Sequence, residues 1–313
     1  FPEGTETVTY RSPECRAALE AADVVLANTH TDMEWDKGPD ILYLQTWHGT
    51  PLKRIHWDVR WAPEGRLERL QRDVDRWDVL LSPSAAATPF LRRAFRYDRE
   101  VVETGYPRND ILSRPGRDEV RARVRQELGI EDRQTAVLYT PTWRDDMVFD
   151  AGGREFALGL DVDAVTAELG EDHVLLLRLH YMVSAGAAAV KGDAVREVSR
   201  HPDVSELYLA ADVMVTDYSS TMFDFAITGR PMLFFTYDLE DYAERLRGFY
   251  FDLAAEAPGP MVETPGALLD ALRDLDAIGG RYGDRYERFR EKFCALEDGR
   301  ATDRLIERVL AGR

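Results

Sequence analysis

Two histidines in this sequence stand where a general base and a phosphate ligand would be useful. His48 follows the apolar run ILYLQ, and the next residue, Gly49, lacks the Cβ that would keep a ligand or a second segment away. Because imidazole has an unperturbed pKa of about 6.5, a neutral His48 could take a proton from a hydroxyl at physiological pH. On its own, the His48-Gly49 pair suits a structural histidine equally well.

The second histidine ends the apolar run HVLLL in the sequence Arg178-Leu179-His180. Side chains alternate between the two faces of a strand, so Arg178 and His180 are predicted to share one face. Two donors on one face favour a phosphate. The alternative is that Arg178 pairs with a carboxylate.

A third polar group, TDYSST, lies between the run DVMV and a predicted helix in MFDFAITG. Hydroxyls and free N–H groups at the start of a helix attract anions, which predicts phosphate binding at Ser219 and Ser220. Ordinary N-capping by these serines is the alternative. The charge of Asp217 is unsuited to phosphate, so it is expected to orient a hydroxyl, a histidine or a loop N–H.

Two further loops, GYPRND and YTPTWR, place an arginine just beyond an apolar run. Arg108 and Arg144 could each bind phosphate oxygens through two parallel N–H groups. The same loops also suit structural roles, because PRND is typical of a helix entry and Trp143 suits packing between domains.

Short β-rich runs recur between helical stretches, which is typical of βαβ units and a parallel sheet. The predicted strands lie in DVVLANT, ILYLQTW, DVLLSPS and EVVETG, then in TAVLYTPTW, HVLLLRLH, DVMVTDYSS and PMLFFTY, with a further strand expected at ETVTY. Each run ends in small or polar residues, and parallel sheets bind ligands beyond the carboxyl ends of their strands. The segment 111–133 predicts a turn, an amphipathic helix and a stop at Gly129, and is the predicted linker.

Composition narrows the class of protein. A net charge of -17 argues against a broad nucleic-acid face but leaves room for a local anion pocket. The two cysteines, Cys15 and Cys294, have no metal-ligand spacing. No apolar run approaches the ~18 to 20 residues that span a bilayer. The chain starts without Met, so we expect a longer protein that carries any membrane element outside this chain.

Several nucleotide-binding, metal-binding and nucleophile motifs are absent from the sequence, namely GxxxxGK[ST], HExxH, GxSxG and a GxGxxG after a strand. Asp161-Val162-Asp163 reads as a helix start, where capping explains both carboxylates. We therefore expect no metal and no cofactor.

The motifs TWHGTPLK, GYPRND, YTPTWR, RLH and TDYSS, with YD and RGFY after them, resemble in order and spacing the CDP-glycerol glycerophosphotransferase family. This family contains teichoic acid polymerases and primases, with relatives in capsule synthesis. The resemblance covers about residues 23–252. It implies an α/β, GT-B-like architecture of two Rossmann-like domains whose parallel sheets face a central cleft. The predicted domains are 1–114 on the acceptor side, 115–290 for the CDP donor, and a C-terminal helix, 291–313, that packs back on the first.

The resemblance also implies roles for individual residues. His48 matches the histidine that activates the acceptor hydroxyl, and His180 matches the one that contacts the donor phosphate. The remaining matches fall into a donor- or phosphate-binding set and an acceptor-side set: Arg108, Asn109, Arg144, Arg178, Thr216, Asp217, Ser219, Ser220 and Asp224 for the donor, and Thr46, Gly49, Thr50 and Lys53 for the acceptor.

The implied reaction is transfer of glycerol phosphate from CDP-glycerol to a lipid-linked or polymeric acceptor, with release of CMP. CDP-ribitol is the alternative donor; a Leloir glycosyltransferase, an epimerase or a non-catalytic binding module are further alternatives. The family commonly has a glycine and then an aspartate after TWHGTPLK, where this chain has Arg54 to Asp58, and a proline after RLH, where it has Tyr181. These departures leave the acceptor open. The expected location is cytoplasmic, at the inner face of the cell membrane.

Overall fold

The computed structural model describes residues 3–142, 159–179, 194–239 and 248–311. The first sheet has four parallel strands in chain order: β1 Val24–Ala27, β2 Leu42–Gln45, β3 Val79–Ser82 and β4 Glu100–Glu103. Strands β2 and β3 are buried along their whole length, as expected for the centre of a sheet covered on both faces. With its helices this sheet forms the first lobe: α1 Pro13–Glu20, α2 Arg66–Val74 and α3 Thr88–Phe95.

The second sheet has six parallel strands in the order β10-β9-β8-β5-β6-β7. Its strands are β5 Thr135–Thr140, β6 His173–Leu177, β7 Val195–Glu197, β8 Val213–Thr216, β9 Met232–Phe235 and β10 Met261–Val262. The chain starts at β5, moves to one edge, and returns to β8 on the other side of β5. The strand order therefore reverses between β5 and β8, which is the arrangement that opens a ligand crevice.

Helices complete the second lobe. They are α5 Val162–Leu169, α6 Val204–Ala210, α7 Thr221–Ala226, α8 Leu253–Glu256, α9 Pro265–Arg273 and α10 Leu275–Phe293. The two faces of the sheet have separate apolar cores: Leu138 and Met214 belong to one, and Val137 and Val215 to the other. This alternation follows directly from the two-residue period of a strand.

The predicted linker contains α4, Arg117–Glu127, after the turn at Gly116. Two arginines fasten this helix to the second lobe, because both Arg121 and Arg125 bind the carboxylate of Asp212 and the carbonyl of Ala210. Gly129, at φ +66°, then lets the chain turn toward β5.

The C-terminal segment crosses from the second lobe to the first. Phe293, at the end of α10, packs against Phe223 in α7, whereas Leu305 of α11, Ala301–Leu305, belongs to the core beneath the first sheet. A π-helical turn, Ile306–Leu310, follows. The boundaries at 114 and 290 stay a prediction.

The structure departs from the predicted strands in three places. Residues 6–10 form no strand, because their side chains are all exposed and no neighbouring strand pairs with them. Strands β7 and β10 were not predicted, since three and two residues are too short to produce a recognisable alternation. The other eight predicted strands are confirmed.

Candidate active site

A cavity of about 430 Å³ opens between the carboxyl ends of the two sheets. The first lobe contributes the loop after β2, and the second lobe contributes the loops after β5, β6 and β8. Thr140 and Thr216 are partners in the register of β5 and β8, so the cavity lies at the point where the strand order reverses. Its lining residues are Trp47, His48, Gly49, Thr50, Pro51, Leu52, Lys53, Ile55, Thr140, Pro141, Thr142, Arg178, Leu179, Ser219, Ser220 and Thr221.

His48 reaches this cavity with one ring nitrogen already committed. Its Nδ1 lies 2.7 Å from the carbonyl oxygen of Asn28. Because a carbonyl only accepts, Nδ1 carries the hydrogen in the neutral ring, and Nε2 keeps a lone pair for an incoming proton. Desolvation by the surrounding protein lowers the pKa of His48, and the charges of Arg108 and His30 act in the same direction, against the bond to Asn28. His48 is therefore neutral, and able to act as a base, at pH 7.

The side chain of Gln45 fixes the loop that carries His48 by bonding to two backbone groups. The buried Gln45 accepts the N–H of Trp47 at 2.8 Å and donates to the carbonyl of Thr29 at 3.1 Å. Trp47 adopts the left-handed conformation, with φ +55°, which is uncommon for a large residue and persists only where the surroundings fix it. Its ring lies 4.0 Å from that of His48 and 4.8 Å from that of Phe95, measured between centroids.

Gly49 lets the two lobes approach closely. A Cβ on Gly49 would lie 3.2 Å from the Oγ of Ser220, which is tighter than ordinary van der Waals contact. Ser220 is the residue before α7, and its side chain makes no capping bond to this helix. The first-lobe loop thus brings His48 next to the serine hydroxyls of the second lobe.

Asp217 and Thr216 lie behind the second-lobe wall of the cavity and support it through hydrogen bonds to backbone groups. The buried carboxylate of Asp217 accepts the N–H of Thr142 at 2.9 Å and that of Tyr218 at 2.6 Å, so it orients loop N–H groups. Thr216 donates its hydroxyl to the carbonyl of Thr140 at 2.9 Å. Neither side chain lines the cavity.

Arg178 lines the cavity and is held there by neutral groups. Its Nη1 donates to the carbonyl oxygens of Val198 and His201, both at 3.0 Å. No carboxylate within the described ranges forms an ion pair with it. Burial lowers the pKa of Arg178, but a guanidinium stays charged at neutral pH. Its positive charge is therefore available to a phosphate.

Three residues predicted to bind the donor instead bond to one another across the lobes. Arg108 donates from Nη2 to both carboxylate oxygens of Asp224 at 2.9 Å, and Asn109 donates from Nδ2 to one of them at 2.9 Å. The guanidinium of Arg108 also lies over the ring of Tyr106, 4.3 Å from its centroid. We call this group of Arg108, Asn109 and Asp224 the cross-lobe latch. None of the three lines the cavity.

The remaining predicted residues divide as follows. Thr50 and Lys53 line the cavity together with Gly49, whereas the Thr46 hydroxyl turns inward to the carbonyl of Ala27 at 3.2 Å. His180 and Arg144 lie outside the described residues. Their predicted roles stay predictions.

Sequence reasoning missed how the segment 248–251 contacts the first lobe. Arg54 donates its N–H to the carbonyl of Gly248 at 3.1 Å, and Tyr250 donates its N–H to that of Leu52 at 2.9 Å. The hydroxyl of Tyr250 then donates to Asp58 at 2.8 Å. We call residues 248–251 the strap, because they fix the loop 52–58 to the second lobe. The contacts span more than 190 residues and leave no local signal.

The described ranges lack both a cluster of metal ligands and a membrane-spanning helix. No three His, Cys, Asp or Glu side chains among those residues are grouped so that they could hold a metal ion. No helix there is both long and apolar enough to span a membrane.

Two facing parallel sheets with a cleft at the reversal of strand order define a GT-B-like α/β protein. The family model for CDP-glycerol:poly(glycerophosphate) glycerophosphotransferase matches residues 1–311, and the chain belongs to this family. The solved structure of the wall teichoic acid polymerase TagF, in a variant soaked with CDPG, is similar with a TM-score of 0.87 at 36% identity. The match covers 98% of this chain and 76% of TagF, and the predicted fold class is confirmed.

Curated relatives give the same family. A teichoic acid glycerol-phosphate transferase of Staphylococcus aureus is 40% identical over 93% of this chain and 77% of its own length. A teichoic acid poly(glycerol phosphate) polymerase of Bacillus subtilis is 37% identical over 93% of this chain but only 40% of its own length. A poly(ribitol-phosphate) polymerase of Bacillus spizizenii is 29% identical over 67% of this chain and 33% of its own length.

Proposed function

We propose that this chain transfers glycerol phosphate from CDP-glycerol to a hydroxyl of a teichoic acid acceptor and releases CMP. The observation that carries the proposal is the placement of His48, whose Nε2 is free to accept a proton in a cavity that Arg178 and the loop of Ser219 and Ser220 also line. A proton acceptor and phosphate donors in one cavity suit phosphoryl transfer to a hydroxyl. Glycerol is favoured over ribitol because the glycerol-phosphate relatives are more similar than the ribitol-phosphate relative.

The reaction is an in-line displacement at the β-phosphorus. His48 takes the proton of the acceptor hydroxyl as its oxygen forms a bond to this phosphorus. The bond to the bridging oxygen breaks, and CMP leaves with the electron pair. Arg178 and the hydroxyls of Ser219 and Ser220 stabilise charge on the phosphate oxygens, while His180 and Arg144 are assigned to the donor by the family resemblance alone. Protein residues then supply positioning and electrostatics, the main requirements of phosphoryl transfer.

The acceptor and the place of action follow from the family alone. We assign a lipid-linked or polymeric phosphate acceptor and action at the inner face of the cell membrane. Fractionation of cells that express the protein tests the location. Product sizes from single-unit and polymeric acceptors separate a primase from a polymerase.

No metal and no cofactor are assigned to the reaction. Rates of CMP release measured with EDTA and with added Mg²⁺ test this assignment directly. Equal rates support it, and a loss with EDTA that Mg²⁺ restores contradicts it.

A donor panel tests the proposed function. The purified chain is incubated with an acceptor and CDP-glycerol, CDP-ribitol or a set of UDP-sugars, and the released nucleotide is identified. CMP from CDP-glycerol, with glycerol phosphate on the acceptor, is the expected result. UDP release would instead support a glycosyltransferase or an epimerase, and donor binding without CMP in a single turnover would indicate a binding module.

A further inference from the structure

A buried glutamate in the C-terminal crossing segment contacts the loop that precedes the cross-lobe latch. Glu297 lies between α10 and α11 and is 8% exposed. One oxygen, Oε1, accepts the backbone N–H of Tyr106 at 3.0 Å. The other, Oε2, is buried and has no hydrogen-bond partner among the described residues. A buried carboxylate oxygen without a donor is costly.

Asn109 also has a buried acceptor that lacks a donor. Its Nδ2 donates to Asp224, and since a carboxylate only accepts, this bond fixes which end of the amide is the oxygen. That oxygen, Oδ1, is also buried and has no partner among the described residues. The side chains of Glu297 and Asn109 are within interaction range of each other. Oε2 of Glu297 and Oδ1 of Asn109 are thus two neighbouring acceptors without a donor. One proton shared between them would give each a hydrogen bond.

The charges around Glu297 favour that proton. The pKa of Glu297 is raised to about 8, chiefly by burial. The nearby carboxylate of Asp224 acts in the same direction, and the Tyr106 N–H, the Asn109 side chain and the Arg108 charge act against it. Cys294, one turn earlier, stays a neutral thiol because burial raises its own pKa. Among the described groups that act on the pKa of Glu297, Arg108 is the one cation that favours the ionised form.

We propose that Glu297 is a neutral carboxylic acid that positions the cross-lobe latch. Its hydroxyl donates to Oδ1 of Asn109, Asn109 holds Asp224, and Asp224 holds Arg108 across the lobes. Ionisation of Glu297 removes the donor and places a second negative charge beside Asp224. Arg108 then loses its fixed position. This matters for the reaction because the charge of Arg108 is one of those that lower the pKa of His48. Glu297 acts through other residues and is a positioning residue, and the activity part of this proposal rests on the proposed function.

Glu297→Gln tests the proposal because glutamine reproduces the protonated acid. Its amide oxygen can accept the Tyr106 N–H and its NH₂ can donate to Asn109, but it does not ionise. We expect the wild-type rate of CMP release to fall up to tenfold per pH unit above the Glu297 pKa. Glu297→Gln should keep the pH 7 rate and lose this alkaline fall. The matched control Glu287→Gln, on the exposed face of α10, should behave as wild type.

A second measurement does not depend on activity. Infrared spectra of the full chain at pH 7 should contain the C=O band of a protonated carboxylic acid in wild type and in Glu287→Gln. The spectrum of Glu297→Gln should lack this band. If this band is found but no CMP is released, the proposed function fails and the assignment of Glu297 stands. Absence of the band in wild type, an unchanged alkaline fall in Glu297→Gln, or loss of its pH 7 rate would overturn the proposal.

Discussion

The hydroxyl of Tyr250 offers a direct test of how the strap fixes the first-lobe loop. Tyr250→Phe keeps the ring, which stacks on Phe90 at a centroid distance of 4.7 Å, and keeps the backbone bond to Leu52. It removes the bond to Asp58 at 2.8 Å and the weaker acceptance of the Ile55 N–H at 3.3 Å. The substitution therefore isolates two hydrogen bonds from the rest of the strap.

The expected loss can be estimated from these bonds. A hydrogen bond to a charged group contributes about 1.5–3 kcal/mol. Arg93 remains on the same oxygen of Asp58 at 2.9 Å, so the carboxylate is not left without a partner and the loss should be near the lower end of that range. We expect Tyr250→Phe to lower the free energy of unfolding by about 1–2 kcal/mol. A cycle with Asp58→Asn should give a coupling energy of about 1 kcal/mol.

Urea unfolding of the four proteins in this cycle measures both quantities. Tyr286→Phe is the matched control, because its hydroxyl donates to the carbonyl of Arg230 at 2.7 Å within the second lobe. Tyr286→Phe should lower the free energy of unfolding by an amount comparable to Tyr250→Phe and leave the Michaelis constant for the acceptor unchanged. Tyr250→Phe should raise that constant. Strictly additive losses for Tyr250 and Asp58, or no loss from Tyr250→Phe, would refute the reasoning.

Three further predictions follow from single contacts. Gly105→Ala should lower the melting temperature, because Gly105 has φ +78° and a Cβ would lie 2.7 Å from the Leu296 carbonyl. Gly279→Ala in α10 should raise the melting temperature, because a Cβ there would meet nothing within 4 Å. Gly49→Ala should reduce CMP release with little change in stability, since its Cβ presses on Ser220 at 3.2 Å; an unchanged rate would contradict the close approach. The rate should be half-maximal on its acid side below pH 6.5, because the pKa of His48 is lowered; a midpoint above about 6.5 would contradict this assignment.

The sequence was sufficient to predict the sheets and the edge at which ligands bind. Continuous apolar runs such as HVLLL and DVMV mark buried parallel strands, and polar residues after each run identify the carboxyl edge. His48, Arg178, Ser219 and Ser220 do lie at the cavity. Their chemistry follows from residue type, and their grouping follows from topology.

What could not be predicted is which partner each polar side chain selects. Thr46 belongs to the right motif, yet its hydroxyl binds the carbonyl of Ala27 behind the cavity wall. Arg108 suits a phosphate by type but pairs with Asp224, 116 residues away. The orienting group of His48 is a carbonyl, that of Asn28, and a backbone atom has no signature in the residue types. Glu297 is similar, since its bond to Tyr106 spans 191 residues.

The central claim is that His48 is the base and that the donor is bound by other groups. His48→Ala should be measured in two ways on the same preparation: single-turnover CMP release from CDP-glycerol with acceptor, and calorimetric titration with CDP-glycerol alone. We expect CMP release to fall by about 10² to 10⁴ while donor affinity and the melting temperature stay unchanged. Lost donor affinity in a folded His48→Ala protein, or an unchanged rate of CMP release, would contradict the claim.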